Sequence, residues 1–268
     1  MHKQITSLQN LYIKELVQLK EKSRLRKQTQ TFLIEGLREI SLAIQGNYPI
    51  ETILAATSII NNKEIEKLIN SVNYAIEVIE ISNDVYQKLA LRESTEGILA
   101  IAKTKDLSLK SIKFKNKNPL ILVAEAPEKP GNIGALLRTA DAAGIDAVLI
   151  ANPKTDIYNP NIIRASVGCV FTTQIATGTT SEIISFLNEH HIIMYGAALT
   201  ASVEYQTIDY TQPSAIIVGT EATGLTDEWL QNTSKNIIIP MRGAIDSMNV
   251  SVSAAIILFE AVRQRQNN

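Results

Sequence analysis

The second half of the chain, from Pro119 onward, alternates strand-like apolar runs with helical segments. The runs LILVAE, AVLI, TTQIA, IIMYGAA, AIIVG and NIIIP are typical of strands. Helices are predicted between them and after them, at residues 132–143, 160–165, 181–190, 226–232 and 249–265. Strands that alternate with helices favour a largely parallel sheet covered by helices on both faces, so the fold class is α/β.

The first half of the chain predicts a smaller α/β unit. An opening helical repeat runs through Leu8, Leu11, Tyr12, Leu16 and Leu19. The strand-like runs FLIE, ETILAA, AIEVIEI and GILAIA then alternate with helical stretches up to Ala102. A polar, basic stretch follows and is closed by Pro119, which is typical of a linker. We therefore predict a first domain at residues 1–104, a linker at 105–118 and a second domain at 119–268.

Three short segments place glycine and polar residues after predicted strands of the second domain. They are Asn132-Ile133-Gly134 with Arg138, Gly219-Thr220-Glu221 with Gly224-Leu225, and Ile239-Pro240-Met241 with Ser247-Met248-Asn249-Val250. Open α/β sheets assemble their sites at the carboxyl ends of their strands. Three such segments converging at one edge predict a single pocket.

The order and spacing of these segments resemble the SpoU-type RNA ribose 2′-O-methyltransferases of the trefoil-knot methyltransferase superfamily. The matching stretches are GNIGALLRTADAAGIDAVLI, IIVGTEATGL and IIIPMRGAIDSMNVSVSAAIILFEAVR, about 85 and about 20 residues apart. One departure is Met248, where the family often has Leu, and Met keeps the size and apolarity of Leu. The resemblance implies a trefoil-knotted, parallel-sheet methyltransferase domain. Topology rules alone would not predict a knot, because true knots are rare.

The resemblance also implies S-adenosylmethionine as the methyl donor, with no metal ion. The family holds the adenine mostly through main-chain atoms of these loops, two glycines here permit close backbone approach, and apolar side chains can form a wall for the adenine. The predicted cofactor-binding residues are Leu199, Gly219, Gly224, Leu225, Ile239 and Met248. Cys169 is the sole cysteine, so a thiolate metal cluster is excluded.

Catalysis requires stabilisation of a developing alkoxide, since a ribose 2′-hydroxyl is a poor nucleophile. Arg138 follows Asn132 by six residues, close to two helical turns, so we expect it to project from the region where Asn132 opens the loop. The family gives this Arg an essential role, sometimes as the base. A guanidinium rarely gives up its proton, so a phosphate clamp with charge stabilisation is favoured. Glu221, Ser247 and Asn249 match the remaining catalytic positions, and Asn249 is also a candidate N-cap.

Positive charge is concentrated in the first half of the chain. Residues 1–117 carry 18 Lys and Arg against 13 Asp and Glu, whereas residues 118–268 carry 8 against 14. The bases cluster at Lys20, Lys22, Arg24, Arg26 and Lys27, and again at Lys103, Lys105, Lys110, Lys113, Lys115 and Lys117. Both clusters are candidate footprints for an RNA backbone, with a solvated helix end and a solvated linker as the alternative. Arg164 is a further RNA-facing candidate.

The stretches SLQNLYIKELVQLK, FLIEGLREISLAI and EGILAIAK resemble the family's N-terminal substrate-binding domain, which is similar to certain RNA-binding ribosomal proteins. We therefore expect S-adenosylmethionine-dependent 2′-O-methylation of a ribose in structured RNA, with 23S ribosomal RNA favoured. The alternatives are a transfer RNA methyltransferase and a non-catalytic RNA-binding protein that retains the knot fold. A nucleotide-dependent oxidoreductase is disfavoured, because PGNIG is not GxGxxG.

Apolar patterning predicts where the protein works and how it assembles. No apolar run approaches the ~20 residues of a bilayer span, and the start MHKQITSLQNLYIKEL lacks a signal peptide's apolar stretch. We therefore expect a cytoplasmic protein. The last predicted helix is apolar around much of its circumference, so it must be buried from more than one side. The family pairs its knotted domains through this region, and the resemblance thus implies a homodimer.

Overall fold

The structure is a computed structural model of the chain, and it describes residues 3–91, 96–200, 202–220 and 223–266. Two compact units make up the chain. Unit 1 consists of Met1–Lys105 and Asp156–Thr172, and unit 2 consists of Asp106–Thr155 and Thr173–Asn268. The chain therefore passes from one unit to the other three times. None of the helices within the described ranges is long and apolar enough to cross a bilayer.

The first part of unit 1 carries five strands and five helices in the described ranges. In chain order they are β1 (Lys3–Ile5), α1 (Leu11–Glu21), α2 (Ser23–Thr29), β2 (Thr31–Glu35), α3 (Leu37–Gln45), β3 (Ile50–Ala55), α4 (Asn62–Asn70), β4 (Glu77–Ile81), α5 (Asn83–Leu89) and β5 (Ile98–Lys103). The sheet order is β1-β4-β3-β5-β2, and β5 runs antiparallel to both neighbours. The four predicted strands are confirmed. β1 was not predicted, because three residues are too few to show a period.

The second half of the chain supplies the remaining elements. They are β6 (Leu120–Glu125), α6 (Pro130–Ala143), β7 (Ala147–Ala151), α7 (Pro160–Ala165), β8 (Ile175–Gly178), α8 (Thr180–Glu189), β9 (Ile193–Ala197), β10 (Ser202–Glu204), β11 (Ser214–Val218), α9 (Asp227–Asn232), β12 (Lys235–Ile238) and α10 (Val250–Gln266). All of them except α7 belong to unit 2, where seven strands form a sheet in the order β10-β12-β9-β11-β6-β7-β8. Every adjacent pair is parallel, as predicted.

Both faces of the unit 2 sheet are covered. β6, β7 and β11 are buried at every residue, which is typical of parallel strands with helices on either side. Alternate residues such as Ile121 and Val123 share a hydrophobic cluster with Ile183 of α8 and Trp229 of α9. α10 packs along α6 and contacts β11. The predicted α/β class with a covered parallel sheet is therefore confirmed.

The stretch predicted as a linker, residues 105–118, is instead largely a packed part of unit 2. Ile112 is buried in the hydrophobic cluster of that unit, with Leu109 and Phe114 packed against it. The side chain of Gln174 bonds both the N–H and the carbonyl of Lys113, each at 3.1 Å. The prediction was wrong here because the apolar residues that anchor the stretch alternate with lysines. The high lysine content indicated a solvent-exposed segment.

The segment Asp156–Thr172, predicted as part of the second domain, packs in unit 1. The ring of Phe32 on β2 stacks on Tyr158 at 4.4 Å and on Phe171 at 5.8 Å between centroids. A Cβ on Gly46 would lie 2.0 Å from the carbonyl oxygen of Phe171, so this approach needs glycine. An analysis that treats each domain as one continuous segment cannot detect this arrangement. Local periodicity does not indicate which hydrophobic core a helix joins.

Candidate active site

Four adjacent strands of unit 2 end at one level of the sheet. Val218 of β11 is in register with Ala124 of β6 and with Ala197 of β9, and Ala197 is in register with Ile237 of β12. The main chain continues this alignment, because the N–H of Ala198 donates to the carbonyl of Ile237 at 3.1 Å. Loops that leave these strands therefore start side by side at the carboxyl edge, where parallel sheets bind ligands.

Three predicted cofactor-binding residues begin these loops. Leu199 lies two residues beyond β9, Gly219 directly follows β11, and Ile239 directly follows β12. Leu199 is 58% exposed, and Ile239 is half-buried, as is Met248 further along the same loop. Exposed and half-buried apolar residues at such an edge offer an apolar surface to a flat ligand such as a nucleobase.

The loop after β11 is closed on itself. The N–H of Thr220 donates to the carbonyl of Gly224 at 3.0 Å, and the N–H of Gly224 donates back at 3.1 Å. A Cβ on Gly219 would lie 2.1 Å from the carbonyl carbon of Gly224, and Gly224 itself has φ +68°. Both positions therefore require glycine, one for space and one for the left-handed backbone.

The Leu225 side chain does not lie where the predicted wall for the adenine would need it. Its side chain is only 8% exposed and belongs to the hydrophobic cluster of unit 2. Space for it is made by Gly196 on β9, where a Cβ would lie 2.9 Å from the Leu225 Cδ1. Because the side chain fills the core, only the main chain of Leu225 is available to a ligand.

Asn249 joins the beginning of α10 to the beginning of α6. Its Nδ2 donates to Oδ1 of Asn132 at 3.2 Å. Its Oδ1 accepts from the N–H of Ser251 at 2.9 Å and from the Ser251 hydroxyl at 2.7 Å, and its carbonyl accepts from Val252 and Ser253. The residue thus caps α10, as considered for it, and contacts Asn132 at the same time.

Arg138 lies on the exposed side of α6. Six residues of an α-helix separate it from Asn132 by about 9 Å along the axis and about 120° around it. The two side chains therefore leave different faces of α6, which refines the expectation that they project from one region. Arg138 makes no hydrogen bond or ion pair with any part of the chain that the structure describes. Its guanidinium is available to a partner outside the chain.

Ser247 and Glu221 are the remaining predicted catalytic residues. Ser247 is exposed, and its hydroxyl donates to the Asp246 carboxylate at 3.2 Å. Glu221 lies outside the described residues. Within the described ranges, no group of three or more His, Cys, Asp or Glu side chains is arranged to hold a metal ion.

Glu125 is a buried polar residue at this edge that the sequence did not single out. It ends β6, is 3% exposed, and accepts hydrogen bonds from Asn152, Thr180 and Trp229. The available signal was a single carboxylate at the end of the apolar run LILVAE. Burying a carboxylate is energetically costly unless it accepts hydrogen bonds, so a buried carboxylate indicates hydrogen-bond donors nearby.

The first basic cluster and Arg164 belong to unit 1, and most of these candidate RNA-contact residues are exposed. Lys22, Arg24 and Lys27 are exposed around α2, and Arg164 is exposed on α7. Lys20 is half-buried, its Nζ donates to the carbonyl of Lys88 at 2.9 Å, and burial lowers its pKa.

Arg26 does not belong with this group. Its side chain is 3% exposed and pairs with the Asp156 carboxylate at 2.5 Å, while Nη1 donates to the carbonyls of Leu19 and Lys20 at 2.8 and 2.9 Å. The prediction was wrong because Arg26 shares the charge of its neighbours but not their exposure. Its guanidinium is buried and engaged within unit 1, through Nε to Asp156 and through Nη1 to the two carbonyls.

Residues 119–259 match the model of a family described as the SpoU rRNA Methylase family. The chain belongs to the SpoU rRNA methylase family. Residues 10–100 of this SpoU protein match a second model, the MRM3-like substrate binding domain.

Relatives and solved structures extend the SpoU similarity over nearly the whole chain. The 23S rRNA (guanosine(2553)-2′-O)-methyltransferase RlmP of Bacillus subtilis is 29% identical over 96% of this chain and 98% of its own. A crystal structure of an RNA 2′-O ribose methyltransferase is 38% identical, covers 98% of this chain and 99% of its own, and has a TM-score of 0.84. The SpoU methyltransferase AviRb from Streptomyces viridochromogenes, solved with AdoMet, is 26% identical over 97% of this chain and 100% of its own, with a TM-score of 0.89.

Proposed function

We propose that this SpoU protein transfers a methyl group from S-adenosylmethionine to the 2′-oxygen of a ribose in RNA, and that the trefoil knot implied by the resemblance is present. The observation that carries the activity is the Asn132–Asn249 hydrogen bond, which joins two of the three segments matched by the resemblance. Loss of either Asn would have favoured a non-catalytic RNA-binding protein. Both are present and in contact.

The residues that would hold S-adenosylmethionine are Leu199, Gly219, Gly224, Ile239 and Met248, together with the main chain of Leu225. S-adenosylmethionine supplies an electrophilic methyl group on a sulfonium. Its fit rests on the loop after β11, because a Cβ at Gly219 would fill the space that brings two stretches of main chain together. Such a loop presents fixed N–H and C=O groups to an adenine, and Leu199 adds an apolar surface.

The polar residues divide the remaining work. The Asn249 oxygen is fixed by the cap of α10, so its amide must point toward Asn132, and the Asn132 oxygen is thereby held in one orientation. Such preorganised amides can orient the ribose hydroxyl. Arg138, unpaired with any described residue, binds a phosphate of the RNA and stabilises negative charge on the 2′-oxygen. Glu221 and Ser247 complete the proposed catalytic set.

Ribosomal RNA is the proposed substrate, 23S rRNA in particular, and this would place the enzyme in the cytoplasm. Residues 10–100 match the model of a substrate-binding domain. The relative RlmP, which aligns with this chain over 98% of its own length, is a 23S rRNA methyltransferase. Unit 1 carries 15 Lys and Arg against 13 Asp and Glu, so its net charge of +2 is smaller than the +5 expected for residues 1–117. The difference of three arises because four lysines, Lys110, Lys113, Lys115 and Lys117, and one carboxylate, Asp106, belong to unit 2.

These lysines are a proposed RNA contact on the catalytic unit itself. All four are exposed, whereas the apolar residues beside and between them, Leu109, Ile112 and Phe114, pack in the hydrophobic cluster. We therefore propose two phosphate-binding surfaces, one formed by Lys22, Arg24 and Lys27 of unit 1 and one by the lysines of residues 110–117. Each would add to the salt dependence of RNA binding.

A homodimer is proposed from the two apolar faces of α10. One face is buried within unit 2 and consists of Ala254, Ile257, Leu258 and Ala261. The opposite face runs through Val252, Ala255, Ile256, Phe259 and Val262, of which Val252 and Phe259 are each 47% exposed. This i, i+3, i+4, i+7 stripe is the pattern of a helix that packs against a second partner.

The dimer is tested with Phe259→Glu, with Lys63→Glu, a charge reversal at an exposed base on α4 of unit 1, as the control. Light scattering should give about twice 29.5 kDa for the wild type and the control, and a lower mass for Phe259→Glu. A fully active wild-type monomer would show that the stripe has no such partner.

The activity is tested by incubating the protein with labelled S-adenosylmethionine and RNA from a strain that lacks it, and then mapping the ribose methyl. Label at one ribose of 23S rRNA is expected, and RNA from the parent strain should accept none. Label in transfer RNA instead would support the alternative substrate. Tight RNA binding without any label would support the non-catalytic alternative.

A further inference from the structure

Glu125 receives hydrogen bonds from three separate elements of unit 2. Asn152, just beyond β7, donates its Nδ2 to Oε1 at 3.0 Å. Thr180 at the start of α8 donates its hydroxyl to Oε2 at 2.9 Å, and Trp229 of α9 donates its Nε1 to the same oxygen at 2.6 Å. The carboxylate is thus the common acceptor of three elements that are distant in sequence.

The chemistry of this cluster is more specific than packing requires. Thr180 and Trp229 are 4% and 0% exposed, and Glu125 forms no ion pair with a residue in the described ranges. An apolar side chain could fill the same space without the cost of burying a charge. Asn152 also donates to the Thr180 hydroxyl at 2.8 Å, so the donors are held relative to one another. A buried, closed polar network fixes a single arrangement of the elements that it joins.

Two of the joined elements lead directly into the candidate active site. The main chain of Glu125 continues through Ala126, held at φ +40° and bonded to the Ala151 carbonyl, into the short loop that precedes α6, the helix that carries Asn132 in its first turn. Trp229 lies four residues after Leu225, on the helix that follows the closed glycine loop. The Trp229–Glu125 bond therefore connects the helix that follows the glycine loop to the start of the loop between β6 and α6.

We propose that Glu125 is a positioning residue for cofactor binding, acting through Trp229 on the closed glycine loop. The inference rests on the proposed function, since it assigns that loop to S-adenosylmethionine. Glu125 touches neither reacting group. Its carboxylate holds α9, and with it the last residues of the glycine loop, at a fixed distance from the end of β6.

Trp229→Phe is the most selective test, because it keeps a large apolar ring and removes only the N–H donor. The expected result is an increase of about tenfold or more in the KM for S-adenosylmethionine, the size expected for losing one hydrogen bond to a charged group. The KM for RNA should not change. A residue that merely supports the sheet would lower the melting temperature without separating the two KM values.

A compensating pair tests the carboxylate directly. Glu125→Gln should weaken cofactor binding, because the new amide places a donor against the Nδ2 of Asn152. Adding Asn152→Asp supplies an acceptor at that point, and the left-handed backbone of residue 152, φ +46°, tolerates Asp. The double variant should recover most of the lost affinity.

Glu182→Gln is the matched control. Glu182 caps the same helix, α8, by accepting from the N–H and hydroxyl of Thr179, and it is not part of the Glu125 network. Cofactor affinity should be unchanged in this variant. Titration calorimetry with S-adenosylmethionine separates the outcomes. A wild-type protein that binds none would overturn the proposed function, whereas normal binding by the wild type, Trp229→Phe and Glu125→Gln alike would overturn the role of Glu125 alone.

Discussion

Asn249 and Asn132 are joined by a 3.2 Å hydrogen bond between their side-chain amides, and the same Asn249 caps α10 through its oxygen. The two functions use different atoms of one side chain. The nitrogen serves the site and the oxygen serves the helix. A substitution can therefore remove one function and leave the other.

Asn249→Asp should separate the cap from the site. Asp is as good an N-cap as Asn, so the melting temperature should be retained, but a carboxylate oxygen replaces the donor to Asn132 and repels its oxygen. We expect methyl transfer to fall at least tenfold. Asn249→Ala should lose both functions, with about 1 kcal/mol less stability. Full activity of the Asp variant, measured with labelled S-adenosylmethionine, would remove the Asn132 contact from the mechanism.

Arg138→Ala should abolish methyl transfer while S-adenosylmethionine still binds, since the exposed guanidinium is assigned to RNA and to the 2′-oxygen. Arg138→Lys should also be severely impaired, because an ammonium cannot reproduce a planar bidentate clamp. The control is Lys235→Ala, an exposed base at the opposite end of the sheet. Single-turnover assays and calorimetry measure the two steps separately, and near wild-type turnover by either Arg138 variant would contradict the assignment.

Gly219→Ala should destroy cofactor binding. The new Cβ would meet backbone atoms of Gly224 and Leu225 at 2.1 to 2.5 Å, and backbone cannot move aside as a flexible side chain does. Gly243→Ala is the matched control on a neighbouring loop, because nothing lies within 4 Å of a Cβ there. Calorimetric titration should detect binding only in the control. Normal affinity of Gly219→Ala would mean that the loop can open without consequence.

Substitution of Arg26 should lower stability, whereas substitution of its exposed neighbours should change RNA binding. Arg26→Ala leaves the Asp156 carboxylate buried without its partner, and should lower the free energy of unfolding by about 3–5 kcal/mol. Replacing Lys22, Arg24 and Lys27 together by Gln should leave stability nearly unchanged and flatten the salt dependence of RNA binding by a slope of about 2. Denaturant titration and RNA binding at several salt concentrations measure the two effects. An unchanged salt slope would restore the view of these bases as a solvated helix end.

Acid should weaken the end of α10. Hydrogen bonds from Arg263 and Gln264 lower the pKa of Glu260 to about 2. Because the folded pKa lies below the unfolded one, the contribution is complete at neutral pH and is lost as the pH falls from about 5 toward about 2. Glu260→Gln should therefore be less stable than the wild type at pH 7, and the difference in melting temperature should shrink at pH 3. A constant difference would exclude this titration as its cause.

The sequence predicted the features that depend on local periodicity and on motif spacing. Six of the seven strands of the parallel sheet, the helices between them and the position of the glycine loop follow from residues close together in the chain, whereas the three-residue β10 was not predicted. The meeting of Asn132 with Asn249 was also implied, since both belong to matched segments at one sheet edge.

What the sequence did not predict depends on partners that are distant along the chain. Arg26 looks like its basic neighbours until Asp156 is placed beside it, and Glu125 is an isolated carboxylate until Trp229 reaches it. Ile112 is surrounded by lysines in sequence, yet it is buried in the unit 2 cluster. Whether a charged or apolar residue is buried depends on its partners in the fold, and one sequence alone does not identify these partners.

The threefold passage of the chain between the units limits how this family can be recombined. Exchanging the substrate-binding part between relatives requires three junctions, after Lys105, before Asp156 and after Thr172. A chimera joined only near residue 105 would keep a foreign Asp156 and Phe171 against the incoming Arg26 and Phe32. Substrate range in such a protein is therefore expected to diverge by point substitution on exposed surfaces rather than by shuffling of whole domains.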